Sequence, residues 1–228
     1  MTIQTKTAHA SNYKAASRSA ADIGFIVVHY TGNRGDTAKN NADYFARTAG
    51  LEASAHYFVD EHEAWQSVPD KDVAWHVGAR SYVHKTCRNA NSIGVEICML
   101  DKAGRVRQGS IDNAAKLVRE LMAKYGVDSG HVLRHYDVTG KDCPAPMVAD
   151  PKLWAAFKQA VTKPEKIEED DDMYTVYKTI QDVPDWARDC VNDLIAKGYL
   201  KGDGDGQLDL EHYMLRGLVI NWRAGLYK

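Results

Sequence analysis

Long apolar runs are missing from this 228-residue chain. No stretch approaches the roughly 18 consecutive apolar residues that a helix needs to cross a bilayer, so the sequence predicts no membrane insertion. The N-terminal segment MTIQTKTAHASNYKAASRSAADIG also lacks the apolar core of a secretory signal peptide. We therefore expect a protein that is made in the cytoplasm without a signal peptide.

An excess of positive charge and an abundance of cysteine are absent as well. The chain has 29 Lys and Arg residues against 31 Asp and Glu residues, for a net charge of −2. Dedicated nucleic-acid binders usually show a basic excess, so the composition predicts no nucleic-acid partner. The four cysteines are too few for a disulfide scaffold in a chain of this length. They are better interpreted as thiols or as a metal ligand, and they are Cys87, Cys98, Cys143 and Cys190.

Acidic residues are concentrated in one short segment. Residues 162–172 read TKPEKIEEDDD, with six acidic residues, two basic residues and one apolar residue, Ile167. Like charges repel one another and keep such a segment extended. We therefore predict a large domain at 1–161, an acidic linker at 162–172 and a small domain at 173–228. A charged helix end that stays docked is the alternative interpretation of this segment.

Apolar and amphipathic segments alternate along residues 1–161. Apolar β-branched runs bounded by turn residues predict strands, and apolar positions three or four residues apart predict helices. Strands mixed with helices indicate the α/β class, here a central mixed β-sheet flanked by helices. The predicted strands lie at 24–31, 56–60, 64–69 and 92–100; the predicted helices lie at 37–48, at 110–125 with Ser110 as N-cap, and from 150–151 onward.

Residues 173–228 predict a small helical module. Asp182 is placed to cap a first helix, and Gly198 is placed to end it. Two helices in about 55 residues bury a thin core, so we expect marginal stability or support from a partner surface. The apolar face predicted for the first helix consists of Trp186, Val191, Leu194 and Ile195; that of the second consists of Met214, Leu215, Leu218, Val219 and Trp222.

Nine histidines suggest a metal site, although the local zinc signatures are missing. The chain has no HExxH segment and no CxxC pair, so a site must be assembled from distant segments. His29 ends the first apolar strand, and His135 and Cys143 flank the loop HYDVTGKDC. Two imidazoles and one thiolate would leave one position of a tetrahedral zinc ion open for water. Spacing alone is a weak indication of this site, and the alternative is a core histidine, a surface histidine and an inert thiol.

Glu96 interrupts the apolar segment IGVEIC. A carboxylate inside a strand is costly unless it faces solvent, a cleft or a partner. It can belong to the polar face of an edge strand, or it can act as a general base for a metal-activated water. Lys141 lies two residues before Cys143, from where it can reach the same site and stabilise an oxyanion.

Four segments occur in a characteristic order: FIVVHYTGN, SAHYFVDEHEAWQSVPDKDVAWHVG, NSIGVEIC and RHYDVTGKDCP. Over roughly residues 20–160 they resemble the zinc-dependent N-acetylmuramoyl-L-alanine amidases of phage endolysins and bacterial autolysins. This is the amidase-2 family, whose fold is shared with peptidoglycan recognition proteins. The resemblance implies a zinc ion in a surface groove. It also implies the zinc ligands His29, His135 and Cys143 and the catalytic residues Glu96 and Lys141, of which Lys141 matches the lysine two positions before the thiolate ligand.

One position departs from the family pattern. Some relatives place a catalytic tyrosine just before the strand that reads HY or HF. That position is Ala55 here, so the resemblance leaves the acid–base role to Glu96, alone or with Lys141.

Three further residues match family motif positions: His56, Trp75 and His76. The resemblance implies that they lie along the substrate groove, where aromatic and imidazole rings pack on sugar or peptide. The structural alternative is a core Trp75 and a hydrogen-bonded strand residue at His56.

The C-terminal segment 177–206 has a weak likeness to surface-layer-homology modules, which dock cell-wall polymers. We expect this module to bind a wall polymer of a Gram-positive host or to mediate oligomer formation. The turn GDGDGQLDLE does not match a calcium loop, because Gln207 and Leu208 stand where an EF-hand needs Asp or Asn and then Gly. A further hypothesis is an internal translation start at Met173. The codons of Glu168 and Glu169 can form a purine run that resembles a ribosome-binding site a few codons before this methionine.

Together these features predict a phage or prophage endolysin. It would hydrolyse the amide between N-acetylmuramic acid and L-alanine in peptidoglycan by zinc-activated water, after release through a holin pore. One alternative is a non-catalytic peptidoglycan-binding protein, although such a protein has no need of an open metal site. The other is a cell-wall thiol peptidase with Cys143 as nucleophile and a histidine as base.

Overall fold

The computed structural model describes residues 3–163, 175–203 and 207–227. Backbone contacts divide the chain into two units, Met1–Pro164 and Glu165–Lys228. Most of the acidic linker predicted at 162–172, and the start predicted at Met173, lie outside the described residues, so these boundaries stay predictions. Among the described helices, none is long and apolar enough to span a membrane.

The first unit mixes strands and helices along its length. Its strands are β1 Ile3–Thr5, β2 Tyr13–Lys14, β3 Phe25–Tyr30, β4 Tyr57–Val59, β5 Ala64–Gln66, β6 Val73–Ala74, β7 Ser92–Ile97 and β8 Val132–Arg134. Its α-helices are α1 Ala38–Arg47, α2 Gln108–Tyr125, α3 His135–Thr139, α4 Ala145–Ala149 and α5 Pro151–Thr162. Short 3-10 helices lie at Ala10–Asn12, Ala20–Asp22, Asn89–Asn91 and Ser129–His131.

Six strands form the central sheet in the order β1-β5-β4-β7-β3-β8. Strands β4, β7, β3 and β8 are mutually parallel, β1 is parallel to β5, and only the β4–β5 pair is antiparallel. Helices α2 and α5 pack against one face, and helix α1 packs against the other. The prediction of a central mixed sheet flanked by helices is therefore confirmed.

The alternation along β7 separates core from site. Ile93, Val95 and Ile97 are fully buried in the core beneath α2 and α5. Glu96 points to the opposite face, since successive side chains alternate across a strand. Strand β7 lies between β4 and β3, so the interpretation of Glu96 as part of an edge strand is wrong.

Side-chain caps and a glycine mark several helix ends of the first unit. Thr37 caps α1 by accepting the Asn40 N–H, and Asp150 caps α5 by accepting the Lys152 N–H. Gly126 ends α2 in the left-handed conformation at φ 66°. The predicted cap Ser110 is wrong: α2 begins at Gln108, and Ser110 is fully buried within the helix because it shares the core-facing side with Ala114.

The second unit contains two helices and a short antiparallel pair of strands. These are β9 Val176–Tyr177, α6 Asp185–Ala196, β10 Leu210–Glu211 and α7 His212–Arg223. Asp182 accepts the Thr179 N–H in the preceding turn, so its predicted role as a helix cap is wrong. Val191 and Leu194 are buried as predicted, whereas Trp186 is 44% exposed. Ile195 and Met214 are also exposed, because Ala187 and Cys190 fill the core beside α7 instead.

Candidate active site

The candidate site lies where parallel strands end. His29 and Glu96 are register partners near the ends of β3 and β7, so both side chains leave the sheet side by side on one face. His135 follows β8 directly as the first residue of α3. Because the carboxyl ends of parallel strands meet at one edge of the sheet, these three residues converge although they are distant in sequence.

Three side chains at this edge form a cluster that fits a metal ion. Candidate ligand atoms of His29, His135 and Cys143 all lie within 4.8 Å of one another. His29 Nδ1 lies 3.8 Å from Cys143 Sγ. His135 Nδ1 is buried and has no hydrogen-bond partner within the described parts of the chain. A buried nitrogen without a partner is costly, and a metal ion at this point would satisfy it.

The protonation of these ligands also suits a metal. Burial lowers the pKa of His29 well below its usual value, and the neighbouring His135 adds to this. Burial, with the Lys141 charge, lowers the pKa of His135 to about 4. Both imidazoles are therefore neutral at pH 7 and keep the lone pair that a metal needs.

The cysteine is not activated as a free nucleophile. Burial and the nearby Glu96 carboxylate raise the pKa of Cys143 to about 12. Catalytic cysteines instead have a lowered pKa in an electropositive setting. In the metal-free protein Cys143 is therefore a protonated thiol, and a metal ion is the natural cause of its ionisation.

Glu96 is a mostly buried carboxyl beside this cluster. Its Oε2 atom has no hydrogen-bond partner among the described residues. Burial raises the pKa of Glu96 to about 7, with Asp36 adding to the rise and Lys141 opposing it. A carboxyl group with a pKa near the working pH can both take up and release a proton.

The raised pKa of Glu96 gives a prediction for stability. The folded state holds the Glu96 proton more tightly than the unfolded state, so wild-type stability falls as the pH rises from 4.5 towards the pKa of about 7. Glu96→Gln removes this loss. In chelator-treated protein, we expect the variant to gain at most about 3 kcal/mol on the wild type between pH 4.5 and about 8.

Urea unfolding of both proteins at several pH values measures this difference. Glu120→Gln, at an exposed position of α2, is the matched control and should show no such trend. If the difference in free energy of unfolding between Glu96→Gln and the wild type stayed constant with pH, it would contradict the raised pKa of Glu96.

A cleft of about 620 Å³ opens over the cluster. Besides the three candidate ligands, Glu96 and Lys141, it is lined by Tyr30, Thr31, Asn33, Asp36, Asn40, Asn41, Tyr44, Phe45, Ala53, Ser54, Ala55, Phe58, Trp75 and His76. A second depression of about 420 Å³ shares His135 and Lys141 with this cleft. Lys141 is exposed at the border between the two, where it can contact a ligand in either.

The three residues expected along the groove have different surroundings. Trp75 lines the cleft and is partly buried. His76 also lines it, but its ring is hydrogen-bonded on both sides, by His29 and by Ser92. His56 is fully buried and does not line the cleft.

His56 is held by the protein itself. Gly94 N–H donates to its Nδ1 at 3.0 Å. Its Nε2 lies 2.8 Å from Arg18 Nη2 and 3.2 Å from the Asp72 carbonyl oxygen. Burial and the adjacent Arg18 guanidinium lower the pKa of His56 to about 3. These contacts favour the structural interpretation of His56 over contact with a substrate.

One wall of the cleft consists of polar residues that come shortly after His29 in the sequence, and these residues were not predicted. Asn33 and Asp36 lie in the connection between β3 and α1, and Asn40, Asn41 and Tyr44 lie on α1 itself. Asp36 accepts a hydrogen bond from Asn41. Their signal was present in the sequence: polar residues directly after a ligand-bearing strand, continuing at helical spacing from Asn40 to Tyr44.

A family model described as N-acetylmuramoyl-L-alanine amidase (Amidase_2) matches residues 19–146, more than half of the chain. The chain belongs to this amidase family. The match confirms the resemblance stated from the sequence, and it encloses all three candidate metal ligands together with Glu96 and Lys141.

Members of the amidase family support this assignment. The chain is 40% identical over 159 residues to the N-acetylmuramoyl-L-alanine amidase CwlL of Bacillus licheniformis, covering 66% of this chain and 44% of that relative. The match thus spans less than half the length of that relative.

Solved structures show the same fold. The PlyG catalytic domain is similar with a TM-score of 0.59 and 33% identity, covering 72% of this chain and 99% of that one. A mutant endolysin from Bacillus subtilis has a TM-score of 0.59 and 28% identity, covering 70% of this chain and 98% of that one.

Proposed function

We propose that this amidase-family chain is a zinc-dependent endolysin that hydrolyses the amide between N-acetylmuramic acid and L-alanine in peptidoglycan. The observation that carries the proposal is the buried cluster of His29, His135 and Cys143 next to the unpaired carboxyl oxygen of Glu96, in an open cleft. The family assignment supplies the bond type. A pure peptidoglycan-binding protein has no need of this combination.

Zinc is the metal that suits this ligand set. Two imidazole nitrogens and one thiolate are typical zinc ligands, and three protein ligands leave a position for water or substrate. When bound, zinc supplies Lewis acidity that polarises a carbonyl and lowers the pKa of water towards 7.

In this proposal Glu96 transfers the proton and Lys141 stabilises the negative charge that develops on the substrate oxygen. Glu96 accepts a proton as water adds to the lactyl carbonyl carbon, and it passes that proton to the nitrogen of L-alanine as the C–N bond breaks. Lys141 borders the cleft with its positive charge and stabilises the oxyanion. The products are a free lactyl carboxylate and a free L-alanine amine. Ala55 lines the same cleft without a polar group, which leaves the proton transfer to Glu96.

Replacing Cys143 by Asp separates a metal ligand from a thiol nucleophile. A carboxylate oxygen binds zinc in proteins but cannot replace a thiolate as the nucleophile of a thiol peptidase. We expect Cys143→Asp to retain zinc and measurable, reduced amide cleavage, whereas Cys143→Ala loses both. Bound zinc and peptidoglycan hydrolysis are measured on each variant. Complete inactivity of a zinc-loaded Cys143→Asp variant would favour the thiol peptidase.

The cell wall is the place of action in this proposal, since one structural relative is described as an endolysin. Cytoplasmic synthesis and release through a holin pore remain predictions. So do oligomer formation through the second unit and internal initiation at Met173.

We further propose that the second unit binds an anionic wall polymer. A groove of about 440 Å³ on this unit is lined by Trp186, His212, Arg216, Val219, Ile220 and Arg223. Both guanidinium groups are exposed, and neither has an ion-pair partner within the described parts of the unit. Two unpaired arginines beside an exposed tryptophan suit a polymer that combines acidic groups with sugar rings.

Removing these two charges tests the wall-binding role. We expect the double variant Arg216→Gln/Arg223→Gln to bind purified cell walls about tenfold less tightly or worse, because two charge-assisted contacts are lost. Hydrolysis of soluble muropeptides should not change. The control Lys178→Gln/Lys201→Gln removes the same charge from exposed positions of the same unit. Equal wall binding by both double variants would contradict this role.

A further inference from the structure

A chain of hydrogen bonds runs from the candidate ligand His29 into the protein. His29 Nε2 lies 3.0 Å from His76 Nδ1. His76 Nε2 lies 3.1 Å from Ser92 Oγ, and Ser92 Oγ lies 2.7 Å from the Arg88 carbonyl oxygen. His76 and Ser92 are not among the candidate metal ligands, so this chain is an addition to the site described above.

The Arg88 carbonyl at the end of this series determines which atom donates in each of its hydrogen bonds. A backbone carbonyl can only accept, so the Ser92 hydroxyl donates to Arg88. Ser92 Oγ then accepts the proton of His76 Nε2. A neutral imidazole has one N–H and one acceptor nitrogen, so His76 Nδ1 accepts from His29 Nε2–H.

The tautomer of His29 follows from this direction. With its proton on Nε2, His29 keeps a free lone pair on Nδ1, which is the atom facing Cys143 Sγ. We infer that His76 and Ser92 are positioning residues, which hold His29 in the Nε2–H tautomer and so present Nδ1 to the metal. The metal-affinity part of this inference rests on the proposed zinc site, whereas the tautomer is a property of the metal-free protein.

The protein leaves little room for another arrangement. His29 and Ser92 are almost completely buried and His76 is 8% exposed, so water has little access to replace a lost partner. A Cβ atom at Gly94 would lie 2.6 Å from the ring of His76. Glycine at this position of β7 is therefore what allows the His76 ring to lie against the strand beside His29.

Hydrogen bonds also hold the backbone at His76 and at Arg88, the two segments that this hydrogen-bond series connects. Asn89 Oδ1 accepts the backbone N–H groups of His76 and Val77, and Asn91 Oδ1 accepts that of Arg88. The Arg88 carbonyl is thus held in place as the terminal acceptor, and the proton order is set before a metal arrives.

The tautomer can be measured directly in the zinc-free wild type. Long-range 1H–15N correlation spectra distinguish protonated from bare ring nitrogens, and His29→Asn and His76→Asn variants assign the two rings. We expect both rings to carry the proton on Nε2. A wild-type His29 protonated on Nδ1 would overturn the inference, whatever the outcome for zinc or for activity.

Zinc affinity of Ser92 variants gives the second readout, by competition with a chelator of known affinity. Ser92→Ala removes the acceptor of His76, and we expect a 10–100-fold weaker zinc affinity and a mixed His29 tautomer. Ser92→Thr keeps the hydroxyl and should restore both.

The matched control is Ser110→Ala, which removes another fully buried serine hydroxyl, one without a hydrogen-bond partner in the described residues. It should bind zinc as the wild type does. Wild-type affinity in a folded Ser92→Ala would refute the positioning role. Failure of the wild type to bind zinc would instead refute the proposed metal site and leave the tautomer result to decide this inference.

Discussion

Replacing Glu96 by Gln is expected to lower kcat for peptidoglycan hydrolysis by about 10²- to 10⁴-fold, the usual contribution of a general acid–base group. Glutamine keeps the shape of the side chain but can neither accept nor deliver the proton that moves from water to the leaving amine. Because Glu96 is not one of the three candidate metal ligands, bound zinc should be retained. Cleavage rate and zinc content of the same preparation are the two measurements.

The control for this experiment is again Glu120→Gln, whose carboxylate lies on the exposed side of α2. It should hydrolyse peptidoglycan at the wild-type rate. A zinc-loaded Glu96→Gln variant within about tenfold of the wild type would show that another group moves the proton, since that loss lies below the range for general acid–base catalysis.

Removing His135 is expected to abolish both metal binding and activity. His135 supplies a buried Nδ1 atom with no partner among the described residues, and two remaining ligands hold zinc weakly. We expect His135→Ala to weaken zinc affinity by more than the roughly 10–100-fold typical of residues that only support a ligand. Chelator competition measures the affinity, and zinc content after dialysis confirms it.

His131 provides the matched histidine control. It lies four positions earlier, is exposed, and pairs with Asp128. His131→Ala should keep the zinc affinity and the activity of the wild type. Unchanged zinc binding in His135→Ala would remove this residue from the metal site and would direct attention to His76 as a ligand.

Much of the fold was accessible from local patterns. The apolar segment at 92–100 was predicted as a strand, and the structure has β7 there with Ile93, Val95 and Ile97 in the core. The helical spacing of apolar residues predicted a helix at 37–48, and the structure has α1 at Ala38–Arg47. Such features depend on neighbours within a few residues, which is why a single sequence contains them.

The metal cluster was accessible only through the family resemblance. Spacing shows His135 and Cys143 to be close along the chain, but His29 is 114 residues from Cys143. These residues meet because β3, β7 and β8 are parallel and end at one edge of the sheet. Strand order is a tertiary property, so the cluster did not follow from local spacing.

Two histidines at motif positions have different surroundings in the structure, and the sequence alone did not show which one lies beside the metal cluster. His56 and His76 both match motif positions, yet His56 contacts Arg18, 38 residues away, while His76 contacts His29. Exposure in the second unit was also mispredicted, because the small residues Ala187 and Cys190 take core positions that were assigned to larger side chains. Long-range partners and the geometry of a thin core decide these cases.

The most direct test of the account is the chemistry of the bond that is cleaved. Purified peptidoglycan is digested with the full chain, with and without a chelator and then with added zinc, while new L-alanine amines and new reducing sugars are counted. We expect new L-alanine amines without new reducing sugars; this cleavage is lost with the chelator and restored by zinc. Cleavage that survives zinc removal, or new reducing sugars in place of amines, would contradict it.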